Sequence, residues 1–313
     1  MIYKYLFGPV PSRRLGISLG LDLLPHKVCT LNCVYCECGA TTDLTLERKE
    51  YVPYKTVIRE LDDYLAHHPE PDYITFSGAG EPTLNSKICD IVSHITRYYP
   101  QIKTAILTNA SLFFDTEVRR SILEVDVVLP SIDAATRDAF LKINRPHPKL
   151  DYLEHIENLI KFRKEFKGQI WLEVFLLKDY NDSKEDLSAL KNAIEKIGAD
   201  SVQLNTLDRP GVLSNLEAIS YSELEKIKDQ WGLPNVVIIS PVSERENKES
   251  FREDIENAIL ETISRRPCTL TDLSHILGLH ENEINKYLST LDAKDKIQAL
   301  NMERGLFYQS KKN

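Results

Sequence analysis

The chain is short of cysteine, of positive charge and of long apolar runs, and each shortage removes a class of protein. Six cysteines in 313 residues, with no secretory leader, do not make the framework of a disulfide-stapled secreted domain. A reducing, cytoplasmic setting is expected. No hydrophobic stretch approaches the roughly 20 residues that cross a bilayer as a helix. Lys and Arg number 39 against 47 Asp and Glu, a net charge of −8, which supplies no general attraction to phosphate. There is no low-complexity segment and no internal repeat beyond an alternation of short elements. What is present is ordinary for a globular protein: 42% hydrophobic and 27% charged residues, in a length that suits one large domain or two.

Three of the cysteines stand together, in the run Cys29-Thr-Leu-Asn-Cys33-Val-Tyr-Cys36. Three thiolates can hold three corners of a four-iron cube and leave the fourth iron open to a substrate or cofactor, whereas four-cysteine ligation is the usual rule for iron–sulfur clusters. The run therefore points to chemistry at a [4Fe–4S] cluster rather than plain electron storage. A zinc site is the competing reading. It would need Cys38 or His26 as a fourth ligand, crowded into ten residues without the second knuckle of a zinc ribbon. Cys89 and Cys268 stand alone in helix-like sequence and read as small apolar core residues.

From residue 1 to 240, short β-like runs alternate with amphipathic helical ones. Strands are predicted over 17–22, 73–76, 103–107, 125–129, 170–176 and 201–204, and helices over 54–67, 88–98, 116–123, 151–166 and 183–197. In the first helix Val57, Ile58, Leu61, Tyr64 and Leu65 fall at helical spacing, and Asp151 is placed to cap the fourth. Repeated βα units make a parallel sheet, so the expected fold is α/β, a partial (β/α)6 TIM-like barrel. Reactive groups in such barrels sit where strands end and helices begin. The cysteine loop, 77–82, 108–109, 131–133 and Asn205 all fall at such places, which argues for one shared site.

After residue 240 the pattern changes. Residues 241–250 are polar and read as a linker. Helices are predicted over 251–264, 270–277 and 281–291, with Gly278 at a turn, followed by a hairpin of 297–300 and 306–309 around 303–305. This is the pattern of a winged helix-turn-helix. The expected division is a barrel domain at 1–240 and a winged-helix-like domain at 251–313.

Taken together, these motifs resemble the radical S-adenosylmethionine (radical SAM) superfamily. The resemblance is carried by the cysteine run in the first βα loop with Tyr35 before its last cysteine, by FGPVPSRRLG at 7–16, by SGAGEPT at 77–83 and by NRPH at 144–147. Within the superfamily it is nearest a group distantly similar to the enzymes that build the wybutosine base of tRNA. The resemblance implies that Cys29, Cys33 and Cys36 ligate the cluster. Its open iron would chelate S-adenosylmethionine, whose reductive cleavage gives methionine and a 5′-deoxyadenosyl radical that takes hydrogen from a substrate. An electron donor such as a flavodoxin or ferredoxin is implied.

For binding S-adenosylmethionine the candidates are Tyr35, Gly78, Gly80, Glu81, Pro82, Asn109, Ser131, Asp133, Glu173 and Asn205. Glycines permit close backbone approach; Glu81 would accept from the methionine ammonium or fix the loop that does. Ser131 and Asp133 suit ribose hydroxyls or the methionine carboxylate, with helix capping as the alternative. Glu173 sits in an apolar strand and must face solvent, a partner or a ligand. Possible substrate contacts are Arg13, Arg14, Arg145, His147 and Arg209, the last placed to close the barrel mouth with the proline and glycine that follow it. No residue is assigned to hydrogen transfer.

No auxiliary cysteine cluster and no cobalamin-type extension accompany the motifs. The C-terminal 251–313 carries nine Lys and Arg against ten Asp and Glu, and its would-be recognition segment from His280 opens on acids, so protein contact, substrate delivery or dimerisation is favoured there over duplex DNA. An RNA-modifying enzyme and an iron–sulfur redox regulator acting through the winged helix are the competing functions.

Overall fold

The computed structural model describes residues 3–12, 14–25, 27–213, 215–239, 255–279, 281–302 and 304–311. The predicted linker at 241–250 and the candidates Arg13, His26 and His280 lie outside them.

The chain opens with β1 (Leu6–Ser12) and β2 (Gly16–Leu21), an antiparallel pair, then β3 (Val28–Cys29) and β4 (Asp43–Leu44), a small ribbon carrying the first cysteine. There follow α1 (Tyr54–His67), β5 (Tyr73–Phe76), α2 (Ile88–Tyr98), β6 (Lys103–Thr108), α3 (Thr116–Ser121) and β7 (Val127–Pro130). After a short α4 (Arg137–Ala139) come α5 (Tyr152–Glu165), β8 (Gln169–Phe175), α6 (Lys184–Ile197), β9 (Ser201–Asn205), α7 (Tyr221–Trp231) and β10 (Val236–Ile238). The sheet order is β1-β2-β5-β6-β7-β8-β9-β10, parallel from β2 onward. Its two edges do not pair with each other among the described residues. It is thus an open barrel, with a seventh parallel strand, β10, beyond the six predicted.

The helices form for the expected reason. In α1, Val57, Leu61 and Tyr64 repeat every three or four residues and are buried, each large apolar side chain contributing about 1.5–3 kcal/mol of transfer free energy. Asp151 caps α5 by accepting from the backbone N–H of Leu153 and Glu154. Strand β7 is buried throughout, as a central parallel strand must be. Strand β8 alternates: Ile170, Leu172 and Val174 are fully buried under the helices, while Trp171, Glu173 and Phe175 face the barrel interior and are half-buried.

The C-terminal region comprises α8 (Ile255–Arg265), β11 (Cys268–Thr269), α9 (Leu270–Leu277), α10 (Glu281–Ala293), β12 (Ile297–Met302) and β13 (Gly305–Ser310). Its three strands pair in the order β11-β13-β12, and Gly278 ends α9 at φ +65°, the left-handed cap that glycine adopts freely. A separate apolar cluster that includes Ile259, Leu273, Ile284 and Leu288 is its core, with Val10 of β1 packed against it. Ion pairs seat this region on the barrel mouth. Arg265 reaches Asp22 at 2.5 Å, Arg304 reaches Asp208 at 2.9 Å, and Asp272 lies between Arg304 at 2.8 Å and Arg209 at 4.0 Å.

Candidate functional site

The three cysteines lie at the mouth of the barrel, and each sulfur has its own nitrogen donor. Lys27 Nζ donates to Cys36 Sγ at 2.7 Å, Asn109 Nδ2 to Cys29 Sγ at 3.6 Å and Asn144 Nδ2 to Cys33 Sγ at 3.4 Å. The donors come from three places in the chain: the turn before β3, the end of β6, and the π-helical turn Phe140–Asn144. Burial pushes the Cys29 thiol up to about 11 and raises that of Cys33 further. Cys36 goes the other way. A hydrogen bond from Cys38 and the Lys27 ammonium hold it down, to about 5, against its own burial. Burial also works against the Lys27 cation, yet the sulfurs of Cys36, Cys29 and Cys38 outweigh it and raise its pKa. Donors to sulfur favour the thiolate and tune a cluster's potential.

This set fits the cluster that the cysteine spacing implies. Cys29 is buried and Cys33 and Cys36 are half-buried, and the three N–H donors, with the Lys27 cation on Cys36, equip these thiols to carry the thiolate charge that iron would bind. Among the described residues, no three His, Cys, Asp or Glu side chains converge on a single ion; His26, one of the two fourth-ligand candidates for zinc, lies outside them. The corners of a cubane are separate irons, which call for thiols that stand apart.

Around the cysteines the candidates divide. Tyr35 lines the cavity, its ring stacked on Phe175 at 3.8 Å and its hydroxyl donating to Asp133 at 2.5 Å. Gly78, Glu173, Asn205, Arg14 and Arg209 line the same cavity, of about 440 Å³, with Cys36 and Cys38 on its floor. Glu173 is not solvated: Arg14 pairs with it at 3.0 Å and Asn205 Nδ2 donates to it at 2.7 Å. Arg209 is buried against Glu37 at 3.2 Å. Its loop does close over the cysteines, for a Cβ on Gly211 would lie 2.9 Å from the Tyr35 backbone, and the N–H groups of Val212 and Leu213 both donate to Val34 O.

Several candidates are committed to the protein itself. Glu81 is buried and accepts from Thr83 N at 3.1 Å, Thr83 Oγ1 and Thr108 Oγ1 at 2.6 Å, and Asn109 N at 2.7 Å. It is the loop-fixing residue, with Pro82 starting the short 3₁₀ turn that it caps. Asp133 neither caps a helix nor stands free: Tyr35, Asn144 Nδ2 at 2.7 Å and Phe175 N at 3.0 Å take its oxygens, and burial raises it to about 6. It orients the amide that serves Cys33. Asn109 spans Glu81, Thr30 and Cys29. The backbone of Ser131 bridges to β6 and to Glu173. Gly78 and Gly80 answer to packing as well as to any ligand: a Cβ would meet the Asp22 carboxyl at 2.3 Å and Val28 O at 2.1 Å, respectively.

Arg145 and His147 are not on the cavity wall. Arg145 adopts φ +42° and donates through Nε to Asn32 O at 2.6 Å, and the backbone N–H of His147 donates to Thr30 O. Together they brace the cysteine loop from outside, because the chain leaving the π-helical turn pairs Pro146 with Leu31. The sequence reading missed Lys27, Thr30, Asp22 and Asn144. Lys27 left a signal, a cation two residues before the first cysteine, and Asn144 opens the NRPH motif, though no role was assigned to it.

Comparison with known proteins matches residues 23–190 to the Radical SAM superfamily. A UPF0026 protein of Helicobacter pylori is 33% identical over 288 residues, 91% of this chain and 91% of that one. A Brachyspira hyodysenteriae protein named GTPase Obg is 36% identical over 300 residues, 94% of this chain but 43% of its own length, so the chain spans less than half of that relative. Among solved structures, Streptococcus suis SuiB bound to S-adenosylmethionine superposes with a TM-score of 0.52 at 16% identity, over 70% of this chain and 49% of that one, a likeness of fold.

Proposed function

The chain belongs to the radical SAM superfamily, alongside the UPF0026 proteins, and is an enzyme with S-adenosylmethionine and a [4Fe–4S] cluster as cofactors; from that premise we propose that Cys29, Cys33 and Cys36 hold the cluster and leave one iron to the S-adenosylmethionine. When bound, these groups supply an electron and a 5′-deoxyadenosyl radical that takes hydrogen from a substrate. The residues of the chain do the rest. Lys27, Asn109 and Asn144 stabilise the thiolates by donating to sulfur. Glu81 and Asp22 hold the glycine loop at the edge of the cavity, Asp22 by accepting from the Ala79 N–H. Tyr35, fixed by Phe175 and Asp133, walls the cavity beside Cys36. Arg14, Glu173 and Asn205 form a polar row suited to hydroxyl groups such as those of ribose. A small reductant protein, a flavodoxin or ferredoxin, is the proposed electron source.

The observation that carries this reading is one N–H donor for each sulfur. Cys33→Ser, made in protein reconstituted with iron and sulfide without oxygen, should lose most of its iron and form less than about 1% of wild-type 5′-deoxyadenosine under dithionite, the cluster being the route by which electrons reach the sulfonium. A variant that keeps four irons and full cleavage removes Cys33 as a ligand.

The C-terminal elements read as a winged helix, but support for duplex binding is weak: Arg304, in the turn between β12 and β13, is engaged with Asp208 and Asp272. The GTPase name does not carry over, since the chain has no G-x4-G-K-S/T run.

A further inference from the structure

The C-terminal region is the roof of the catalytic cavity. Helices α8 and α9 bring Arg265 and His275 to the same space that Cys36, Cys38 and Gly78 line from below, and Arg266 joins them from the residue after α8. The seat of this roof is specific. Arg265 pairs with Asp22 and lies 4.3 Å from the Phe7 ring centroid, and Asp22 in turn accepts from the Ala79 N–H of the glycine loop.

Most of the charges around this cavity have a described partner. Glu173 has Arg14, Glu37 has Arg209, and Asp208 and Asp272 have Arg304. Glu261, also on the wall, has an interaction of its own. Arg265 is spent on Asp22. Among the described residues, the Arg266 side chain makes no hydrogen bond and no ion pair, and neither does the ring of His275. Arg266 is thus a lining arginine with no acid partner among the described residues, and it sits in the roof across from Cys36 and Cys38. A guanidinium that no carboxylate engages suits a planar or tetrahedral oxyanion, which its fork can bind through two N–H groups.

Resting on the radical SAM reading, we propose that the C-terminal region completes the substrate chamber and that Arg266, assisted by His275, recognises a carboxylate or phosphate group on a small-molecule substrate. The reacting carbon then lies between that anchor and the cysteine floor. The anchor is a specificity residue and takes no part in cleaving the cofactor.

The test uses the full chain with its cluster reconstituted. Inorganic phosphate, acetate and, as a cationic control, ethylamine are titrated separately, with binding followed by melting temperature and by ligand NMR relaxation. Affinity for S-adenosylmethionine is measured in parallel by equilibrium dialysis. Phosphate or acetate should bind and ethylamine should not; the tighter of the two anions identifies the group. Arg266→Gln should weaken that binding about tenfold or more, the loss of a charge-assisted contact, and Arg266→Lys should fall between wild type and that variant, since an ammonium keeps the charge but not the fork. Iron content and S-adenosylmethionine affinity should stay at wild-type values in both. The proposal is overturned if neither anion binds, if both bind wild type and Arg266→Gln alike, or if the variant loses affinity for S-adenosylmethionine instead. The catalytic reading fails on a different result, absence of 5′-deoxyadenosine from fully loaded wild-type protein, which leaves the anion titration readable.

Discussion

The floor of the cavity and its roof are held by opposite means. On the floor, hydrogen bonds run among buried neutral and ionised groups: Glu81 with four donors, Asp133 with three, and an amide or ammonium on each cysteine sulfur. The roof is seated by arginine–carboxylate pairs, Arg265–Asp22 and Arg304–Asp208. A network closed to water is insensitive to salt and costly to interrupt. The roof's pairs are themselves largely buried, so salt screens them only partly and removal of one partner strands the other charge. The floor thus shares many donors among a few acceptors around the cysteines, while the roof rests on discrete pairs and on its packing against Val10.

The largest effect should come from breaking the floor at Glu81. Glu81→Ala leaves the Thr83 and Asn109 N–H groups and two threonine hydroxyls without their acceptor. Urea denaturation should show a loss of about 4 kcal/mol, the combined penalty of unmet buried donors. A loss below 1 kcal/mol would mean that water replaces the carboxylate.

A smaller effect, visible only with pH, concerns His155. Burial lowers its pKa from 6.5 to about 4, so the folded chain resists a proton that the unfolded chain accepts. Stability from this group is complete above pH 6.5 and falls as the pH drops towards 4, by on the order of 3 kcal/mol. Asp133 has the reverse sign. Its folded pKa is raised to about 6 from 3.8, so protonation over that interval favours the folded state. The two slopes oppose each other, and the wild-type profile between pH 6 and 4 should be shallow. His155→Phe removes one of them, and stability measured across that range should then rise as pH falls; an unchanged profile would show that the histidine titrates normally.

The smallest effect belongs to the roof. Arg265→Ala, which leaves the largely buried Asp22 without its cation, should lower the melting temperature by about 2–5 °C, as expected for a loss of about 1–2 kcal/mol in a large domain. It should raise hydrogen exchange in β1 and α9, and salt from 0.05 to about 0.5 M should move wild type part of the way toward the same pattern, the pairs being largely buried. Exchange that ignores both mutation and salt would place the seat in apolar packing around Val10 instead.

The elements fixed by local pattern were legible in the sequence. Helices α1 and α2 begin and end where their apolar spacing says, and five of the six predicted strands fall within one residue of their observed ends, with β7 starting two residues late. Strand β1, reading LFGPVPS, carries a glycine and two prolines that argue against a strand anywhere but an edge. Strand β10 has three residues, too few to show a period. The cysteines were legible because their spacing is itself the motif. Their donors were not, since Lys27, Asn109 and Asn144 meet the sulfurs only through tertiary folding. The same limit made Arg145 look like a substrate clamp when its φ of +42° and its bond to Asn32 O turn it toward the loop.

The π-helical turn at Phe140–Asn144 has a bearing on how this chain can vary. Such a turn holds one residue more than an α-turn, and each helical residue advances the side chain by about 100°. Asn144 therefore reaches both Cys33 and Asp133 only because the count is long by one. Trimming a single amino acid anywhere in those five would restore regular winding, swing the amide away, and strand a sulfur and a carboxylate together. Length here is as much a part of the proposed cluster pocket as side-chain identity, and deletions should be tolerated less well than conservative replacements.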